Sequence, residues 1–169
     1  MAAGSTYTPI ATTTASGSVS SITFSSIAGT YTDLVLIASA SLTSGAENLR
    51  LRFNSDTGSN YSNTVLVGSG SGAASTRASN QTYIAGDSNG YLTTTNNIYI
   101  MNIQNYSNTT TNKTALIRAN NAAAAASGVD AIVGLWRSTA AITSVTLLNS
   151  GAVNFSSNST FTLYGIAAA

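Results

Sequence analysis

Apolar and polar residues alternate in short stretches along most of this chain. In the stretch LRLRF at residues 49–53, Leu49, Leu51 and Phe53 alternate with Arg50 and Arg52. A period of two sends successive side chains to opposite faces of a β-strand, so that one face is buried and the other meets water. Clusters of Ser, Asn and Gly separate these stretches, which is typical of a β-sandwich or barrel. The pattern predicts an all-β fold.

The positions of the alternating stretches predict where the strands lie. The Gly- and Ser-rich residues 68–80 predict a long flexible connection, and the alanine run at 122–126 is too short for a stable helix. We therefore expect a loop or a single turn there. About nine strands are predicted at residues 18–27, 32–42, 48–53, 63–69, 96–106, 113–120, 129–138, 141–148 and 159–166, with a further short one at 81–86.

The segment 54–60, NSDTGSN, follows the clearest strand and carries Asp56. Asn, Asp, Gly and Ser favour turns because their side chains bond to the nearby backbone or because they tolerate positive φ. The same oxygens, and those of DSNG at 87–90, could also bind calcium. Neither segment has the spaced acidic series of a dedicated calcium loop, so turns are favoured and no metal is predicted.

Residues 1–17 lack the apolar alternation of the rest of the chain and contain its single proline. Tyr7, Pro9 and Ile10 offer too little apolar surface to fold alone, and Pro9 biases the backbone toward an extended form. We expect an extended N-terminal arm at 1–17 that contacts an adjacent subunit or another partner, followed by one domain at 18–169.

Low charge limits the classes of partner. Only 7% of the residues are charged and the net charge is +1. Nucleic-acid binding needs clustered Lys and Arg, but the chain has one lysine, Lys113, and five scattered arginines. Its 26 Ser and 25 Thr suit a protein held in an assembly. No stretch approaches the ~18 apolar residues of a membrane span. We expect a soluble protein without a nucleic-acid or membrane partner.

The residue types also restrict catalysis. Without Cys and His, the chain cannot form disulfides, a zinc site of the usual kind or a Ser-His triad. A Ser-Lys dyad would need Lys113, which we interpret as an exposed lysine at a strand start. We predict no enzymatic activity and no cofactor, since the acidic residues that could form a carboxylate pair are isolated in sequence: Asp33, Glu47, Asp56, Asp87 and Asp130.

Aromatic residues are the remaining candidates for a contact site. Trp136 lies within a predicted strand and is expected in the core. Tyr83 and Tyr91 flank IAGDSNG, and exposed tyrosines at such a loop can stack on sugars or anchor a protein interface. With Tyr7, Pro9 and Ile10 of the arm, they are the predicted partner-contact residues.

Three segments together resemble a known family: SSITFSSIAGTYTDLVLIASA, LRLRFNSDTGSNYS and the terminal STFTLYGI. They are similar to a β-domain of virion proteins in tailed bacteriophages, including phages of cyanobacteria and marine bacteria, that serve as head decoration, fibre or tail proteins. The resemblance spans residues 18–166 and implies a single antiparallel, jelly-roll-like β-sandwich. It brings no catalytic residues.

For function, the resemblance implies a capsid decoration or cement protein that stabilises the head shell. Such a protein would be made in the bacterial cytoplasm, sit on the virion surface, bind the major capsid protein and commonly form a homotrimer. The chain shows no long shaft sequence or collagen-like repeat, which favours decoration over a complete fibre. The alternative is a receptor- or glycan-binding module of a tail or tail fibre.

Overall fold

The computed structural model describes residues 6–123 and 128–167. In these residues the secondary structure consists of strands, turns and loops without any helix, so no helix crosses a membrane within them. The strands are β1 (Tyr7–Thr14), β2 (Ser21–Phe24), β3 (Asp33–Ala40), β4 (Leu49–Phe53), β5 (Tyr61–Gly68), β6 (Ala73–Gln81), β7 (Ile84–Ala85), β8 (Asn97–Gln104), β9 (Lys113–Asn120), β10 (Val129–Trp136), β11 (Val145–Asn149) and β12 (Thr160–Ile166).

The strands form two antiparallel sheets that enclose one core. The large sheet has the order β1-β12-β3-β8-β9-β10-β5-β6, and the small sheet has the order β2-β11-β4-β7. Alternation in sequence becomes alternation in burial: Leu49, Leu51 and Phe53 of β4 are fully buried, whereas Arg50 and Arg52 are half-buried. The predicted all-β antiparallel sandwich is confirmed.

Two hairpins account for the unequal size of the sheets. When β5–β6 and β9–β10 are set aside, the remaining strands form two four-stranded sheets, β1-β12-β3-β8 and β2-β11-β4-β7. The chain crosses from one sheet to the other at most of the steps between these strands. We interpret this order as a jelly roll, the double Greek-key arrangement of eight strands, in which the two hairpins lengthen one sheet.

The N-terminal segment differs from the expected arm. Tyr7–Thr14 forms β1, an edge strand whose partner is β12, with a bulge between Pro9 and Ala11. Its side chains do not alternate between apolar and polar because this edge strand buries little on either face. The extended conformation was predicted correctly, but the separation of residues 1–17 from a sandwich at 18–169 was wrong for this stretch. Residues 1–5 lie outside the described residues.

The segment 68–80 also differs from the prediction. Most of it forms β6, the opposite edge strand of the large sheet, rather than a flexible connection. Small polar residues are tolerated there because the strand is exposed along nearly its whole length. Most of the alanine run at 122–126, predicted to be a loop or a single turn, lies outside the described residues.

The segment after β4 is a turn, as predicted. Asn54 has a φ of 49°, and one carboxylate oxygen of Asp56 accepts the backbone N–H of Gly58 at 2.8 Å. The other oxygen accepts Nδ2 of Asn60 at 2.9 Å and Nε1 of Trp136 at 2.6 Å. Burial acts to raise the pKa of Asp56, but these hydrogen bonds outweigh it and lower the pKa below the ordinary 3.8. The carboxylate therefore links the turn to the core.

Candidate functional site

The main candidate site is the side of the large sheet that points away from the small sheet, which we call the outer face. Large apolar side chains on this side have exposed fractions between 41% and 58%. Monomeric proteins seldom leave a contiguous apolar patch of several hundred Å² exposed unless it binds something. The exposed large apolar residues are Tyr7, Leu66, Ile98, Leu116, Val129 and Val133.

Strand register makes these residues neighbours. Leu116 of β9 lies opposite Val133 of β10 on one side and Asn102 of β8 on the other. In the adjacent row, Leu66 of β5 lies opposite Ala131 of β10. Residues that pair across an antiparallel ladder point to the same face. The apolar surface therefore extends from β9 across β10 to β5, and the polar side chains of Asn102 and Arg118 border it on the side of β8.

The outer face has an open groove on one half and exposed apolar side chains on the other. The groove has a volume of about 450 Å³, and its floor includes Val35, Ile37 and Ile100. Tyr7 lies on one side of the groove, and Leu116 and Arg118 lie on the other. Beyond Leu116, the side chains of β9, β10 and β5 stand more exposed. We call this second half the ridge, defined by Leu116, Val133, Val129 and Leu66.

The opposite side of the sandwich has a different character. Ser21 and Thr23 are exposed on β2, and Arg50 and Arg52 stand half-buried on β4. These polar and charged side chains make the outward side of the small sheet hydrophilic. The apolar surface is therefore concentrated on the outer face of the large sheet.

The predicted contact residues of the N-terminal segment lie at the border of the outer face. Tyr7 is 53% exposed and its ring lies 6.1 Å from that of Tyr164 in an edge-on arrangement. Pro9 is exposed opposite Tyr164. Ile10 instead points inward and packs against the core. The structure therefore brings Tyr7 and Pro9, but not Ile10, to the candidate surface.

The predicted exposed tyrosine pair is wrong for Tyr91. Tyr91 is 5% exposed and belongs to the core cluster. Tyr83 is half-buried, with the Arg50 guanidinium 4.1 Å from the centre of its ring. Sequence position could not reveal this outcome because the loop between the two tyrosines folds against both sheets. The pair therefore provides no stacking platform.

Two buried carboxylates hold that loop, which follows β7. Oδ2 of Asp87 accepts the backbone N–H of Leu49 at 2.8 Å, and its Oδ1 accepts that of Tyr91 at 3.2 Å. Oδ2 of Asp130, on β10, accepts the backbone N–H of Ser88 at 2.7 Å. The loop is thus connected to β4 in one sheet and to β10 in the other.

Burial controls the ionisation of this cluster. Asp87 is 1% exposed, and burial raises its pKa from the ordinary 3.8 to about 6. Backbone hydrogen bonds from Leu49 and Tyr91 oppose the rise, while the negative charge of Asp130 adds to it. Burial also raises the pKa of Tyr99, whose hydroxyl lies 3.4 Å from Oδ2 of Asp87. Ionising all the titratable groups of this cluster at once is therefore costly in free energy.

A raised carboxyl pKa can mark a catalytic acid, but the geometry here favours a structural role. Asp87 and Asp130 are 1% and 0% exposed, so a substrate would have to displace the loop to reach them. Within residues 6–123 and 128–167, no three His, Cys, Asp or Glu side chains are grouped to hold a metal ion. Oδ1 of Asp130 and Oγ of Ser88 are buried without a hydrogen-bond partner in that part of the chain.

Lys113 was expected to be exposed, and that prediction was wrong. The side chain is fully buried at the start of β9. Its Nζ donates hydrogen bonds to the carbonyl oxygens of Thr111 at 2.7 Å and Thr139 at 3.1 Å. Burial lowers its pKa. The acceptors are backbone carbonyls, so this lysine links two loops, and no serine hydroxyl of residues 6–123 or 128–167 is bonded to it.

Sequence reasoning named tyrosines and missed the aliphatic residues of the outer face. The signal was present in strands with apolar residues on both sides, such as β10, where Val129 and Val133 alternate with Ile132 and Trp136. Such a strand is ordinarily covered on both faces.

Comparison with known proteins adds no relative: no family model, curated protein or solved structure matches the chain.

Proposed function

We propose that this protein is a structural subunit that acts by protein–protein contact through the outer face, without enzymatic activity. The observation that carries the proposal is the exposed apolar surface centred on Leu116 and Val133, both more than 40% exposed. In contrast, the carboxylates and the lysine that could do chemistry are buried in structural hydrogen bonds. An exposed apolar face suits a stable contact surface better than a reaction site.

The assembly we propose is the virion of a tailed bacteriophage. The chain would decorate the head, bind the major capsid protein and stabilise the shell, as the resemblance of three of its segments implies. Viral capsid proteins use jelly rolls, and our interpretation of the strand order supports this placement as an analogy of fold. The low charge and the uncharged polar surface are consistent with a protein that remains in a particle.

The second candidate is a receptor- or glycan-binding module on a tail or tail fibre. Lectin domains also use jelly rolls, so the fold does not separate the two candidates. Sugar binding favours exposed aromatic rings, but Tyr91 is buried and Tyr83 is half-buried beneath Arg50. Tyr7 and Tyr164 are the aromatic residues at the outer face that this function would have to use.

The experiment that tests the proposal mixes the purified full chain with undecorated phage heads and pellets the particles. We expect the protein to sediment with the heads and to do so equally in added salt, because screening weakens only electrostatic docking. Host cells form the parallel arm. Binding to cells and not to heads would favour the tail module, and binding to neither would contradict the proposal.

A further inference from the structure

We propose that the partner of the outer face is another copy of this chain, with the ridge of one copy packed into the groove of the next. This inference rests on the proposed role of the outer face and names the first molecule that covers it. The area, the shape and the charge of the outer face support it.

The exposed area is large enough for a stable self-contact. A standard interface removes about 800 Å² from each partner, and the six large apolar side chains with exposed fractions of 41% to 58% contribute roughly 500 Å² of that. The half-buried Ile37 and Ile100, together with polar residues at the border, enlarge the surface. A small ligand would cover only a small part of this surface, and a second sheet would cover more of it.

The shape of the face fits a copy of itself. Val35 is 5% exposed and lies on the groove floor, while Leu66 is 58% exposed on the ridge. Sheets pack face to face when protruding side chains of one enter the spaces of the other. Each copy carries both a groove and a ridge, so the ridge of one copy has a groove to enter on the next.

Charge favours the same occupant. Arg118 borders the first groove, and Asp33 lines an adjoining groove of about 350 Å³. The outward charges on the strands of this face are Asp33 of β3, Arg118 of β9 and, toward the edge, Arg77 of β6, which lies opposite Thr64; Asp130 points inward. A partner rich in one sign of charge would leave the opposite sign unmatched, whereas a second copy offers charges of both signs. Self-contact can therefore pair Asp33 of one copy with an arginine of the other.

Sedimentation equilibrium of the full chain tests this inference. The monomer has a mass of 17.1 kDa, and we expect a multiple of that mass at about 100 µM, a concentration that populates complexes of micromolar affinity. The test variant is Leu66→Glu combined with Val133→Glu, which places two charges on the ridge at exposed strand positions. The control is Thr23→Glu, at an exposed strand position on the small sheet.

The double variant should sediment at 17.1 kDa while keeping the wild-type circular dichroism spectrum, and Thr23→Glu should keep the wild-type mass. A monomeric wild type, a double variant with unchanged mass, or a control that dissociates equally would overturn self-contact through this face. Pelleting with heads separates this result from the proposed function. A monomer that binds heads refutes only the self-contact, and an oligomer that binds neither heads nor host cells refutes only the virion role.

Discussion

Replacement of Asp87 by Asn should change how the stability of this protein depends on pH. Asp87 is 1% exposed, and its hydrogen bonds come from two backbone N–H groups and the Tyr99 hydroxyl rather than from a cationic side chain. A carboxylate buried without an opposite charge is costly to ionise. The folded protein should therefore hold a proton on Asp87 at pH values where the unfolded chain has released it.

The sign and size of the effect follow from the pKa of Asp87, which burial raises from 3.8 to about 6. Because the folded state binds the proton more tightly, the stabilisation is complete below pH 3.8 and is lost as the pH rises through about 6. At 1.36 kcal/mol for each pKa unit, the loss amounts to about 3 kcal/mol. This is a large share of the 5–15 kcal/mol that separates typical folded and unfolded states, so the change should be measurable.

Urea unfolding at several pH values between about 4 and 7.5 measures this loss. The wild type should lose stability across the range more steeply than Asp87→Asn, and the two curves should differ in their total change by about 3 kcal/mol. Absolute stability is not diagnostic, because the N–H groups of Leu49 and Tyr91 bond to different oxygens of Asp87 and Asn replaces one of those oxygens with an NH2 donor. Asp56→Asn is the control. The pKa of Asp56 is lowered below 3.8, so its replacement should leave the slope in this range unchanged.

Asp130→Asn provides a second test of the pKa of Asp87 in case Asp87→Asn does not fold. Asp130→Asn removes the negative charge that contributes to the raised pKa of Asp87, so the loss of stability should move to lower pH. Equal slopes for the wild type and Asp87→Asn would refute the idea that Asp87 is protonated in the folded protein, and a window that Asp130→Asn does not move would refute the contribution of Asp130.

Four further predictions concern the core, a close approach of the two sheets, metal and the first strand. Leu51→Asp or Phe53→Asp should abolish folding because both side chains are fully buried. Arg50→Ser should still fold, with a decrease of about 0.5–1 kcal/mol in the free energy of unfolding because the contact with Tyr83 is lost; near-UV circular dichroism distinguishes folded from unfolded variants. Gly134→Ala should cost about 1–3 kcal/mol in urea unfolding because an added Cβ overlaps Ile84, while Gly72→Ala, with open space around it, should cost much less. Thermal midpoints in calcium and in a chelator should agree, because hydrogen bonds engage both carboxylate oxygens of Asp56 and of Asp87; a lower midpoint in the chelator would identify a cation that stabilises the native state. Deletion of residues 2–14 should lower the thermal midpoint, since β1 pairs with β12 and Ile10 packs on the core; an unchanged midpoint with weaker attachment to heads would restore the arm hypothesis.

Local pattern was most informative where one face of a strand is buried and the other is wet. Leu49, Leu51 and Phe53 reveal β4 because burial imposes a period of two on the sequence. The turn at Asp56 was also predictable, since its carboxylate bonds to Gly58 only two residues away. Edge strands were harder: Tyr7–Thr14 and Ala73–Gln81 bury little, so burial leaves no alternation to detect.

The candidate surface was only partly predictable. Tyr7 was found because exposed tyrosines are common anchors, but Leu116 and Val133 have the composition of core residues. The sequence does not distinguish an apolar strand residue that a second sheet covers from one that faces water. Only the placement of the small sheet on the other side of the large sheet reveals that these residues have no cover within residues 6–123 and 128–167.

By itself, the sequence determined the all-β class, the positions of the inner strands, the turn at Asp56 and the small number of charges, since each depends on residues close together in the chain. The tertiary structure decided the strand order, the burial of Lys113 and Tyr91, the raised pKa of Asp87 and the outer face. Each of these depends on groups brought together from distant parts of the chain: Asp87 meets Leu49 and Asp130 only after both sheets have formed. Burial and ionisation depend on those surroundings. The local alternation of hydrophobic residues does not show which distant strand provides the surroundings.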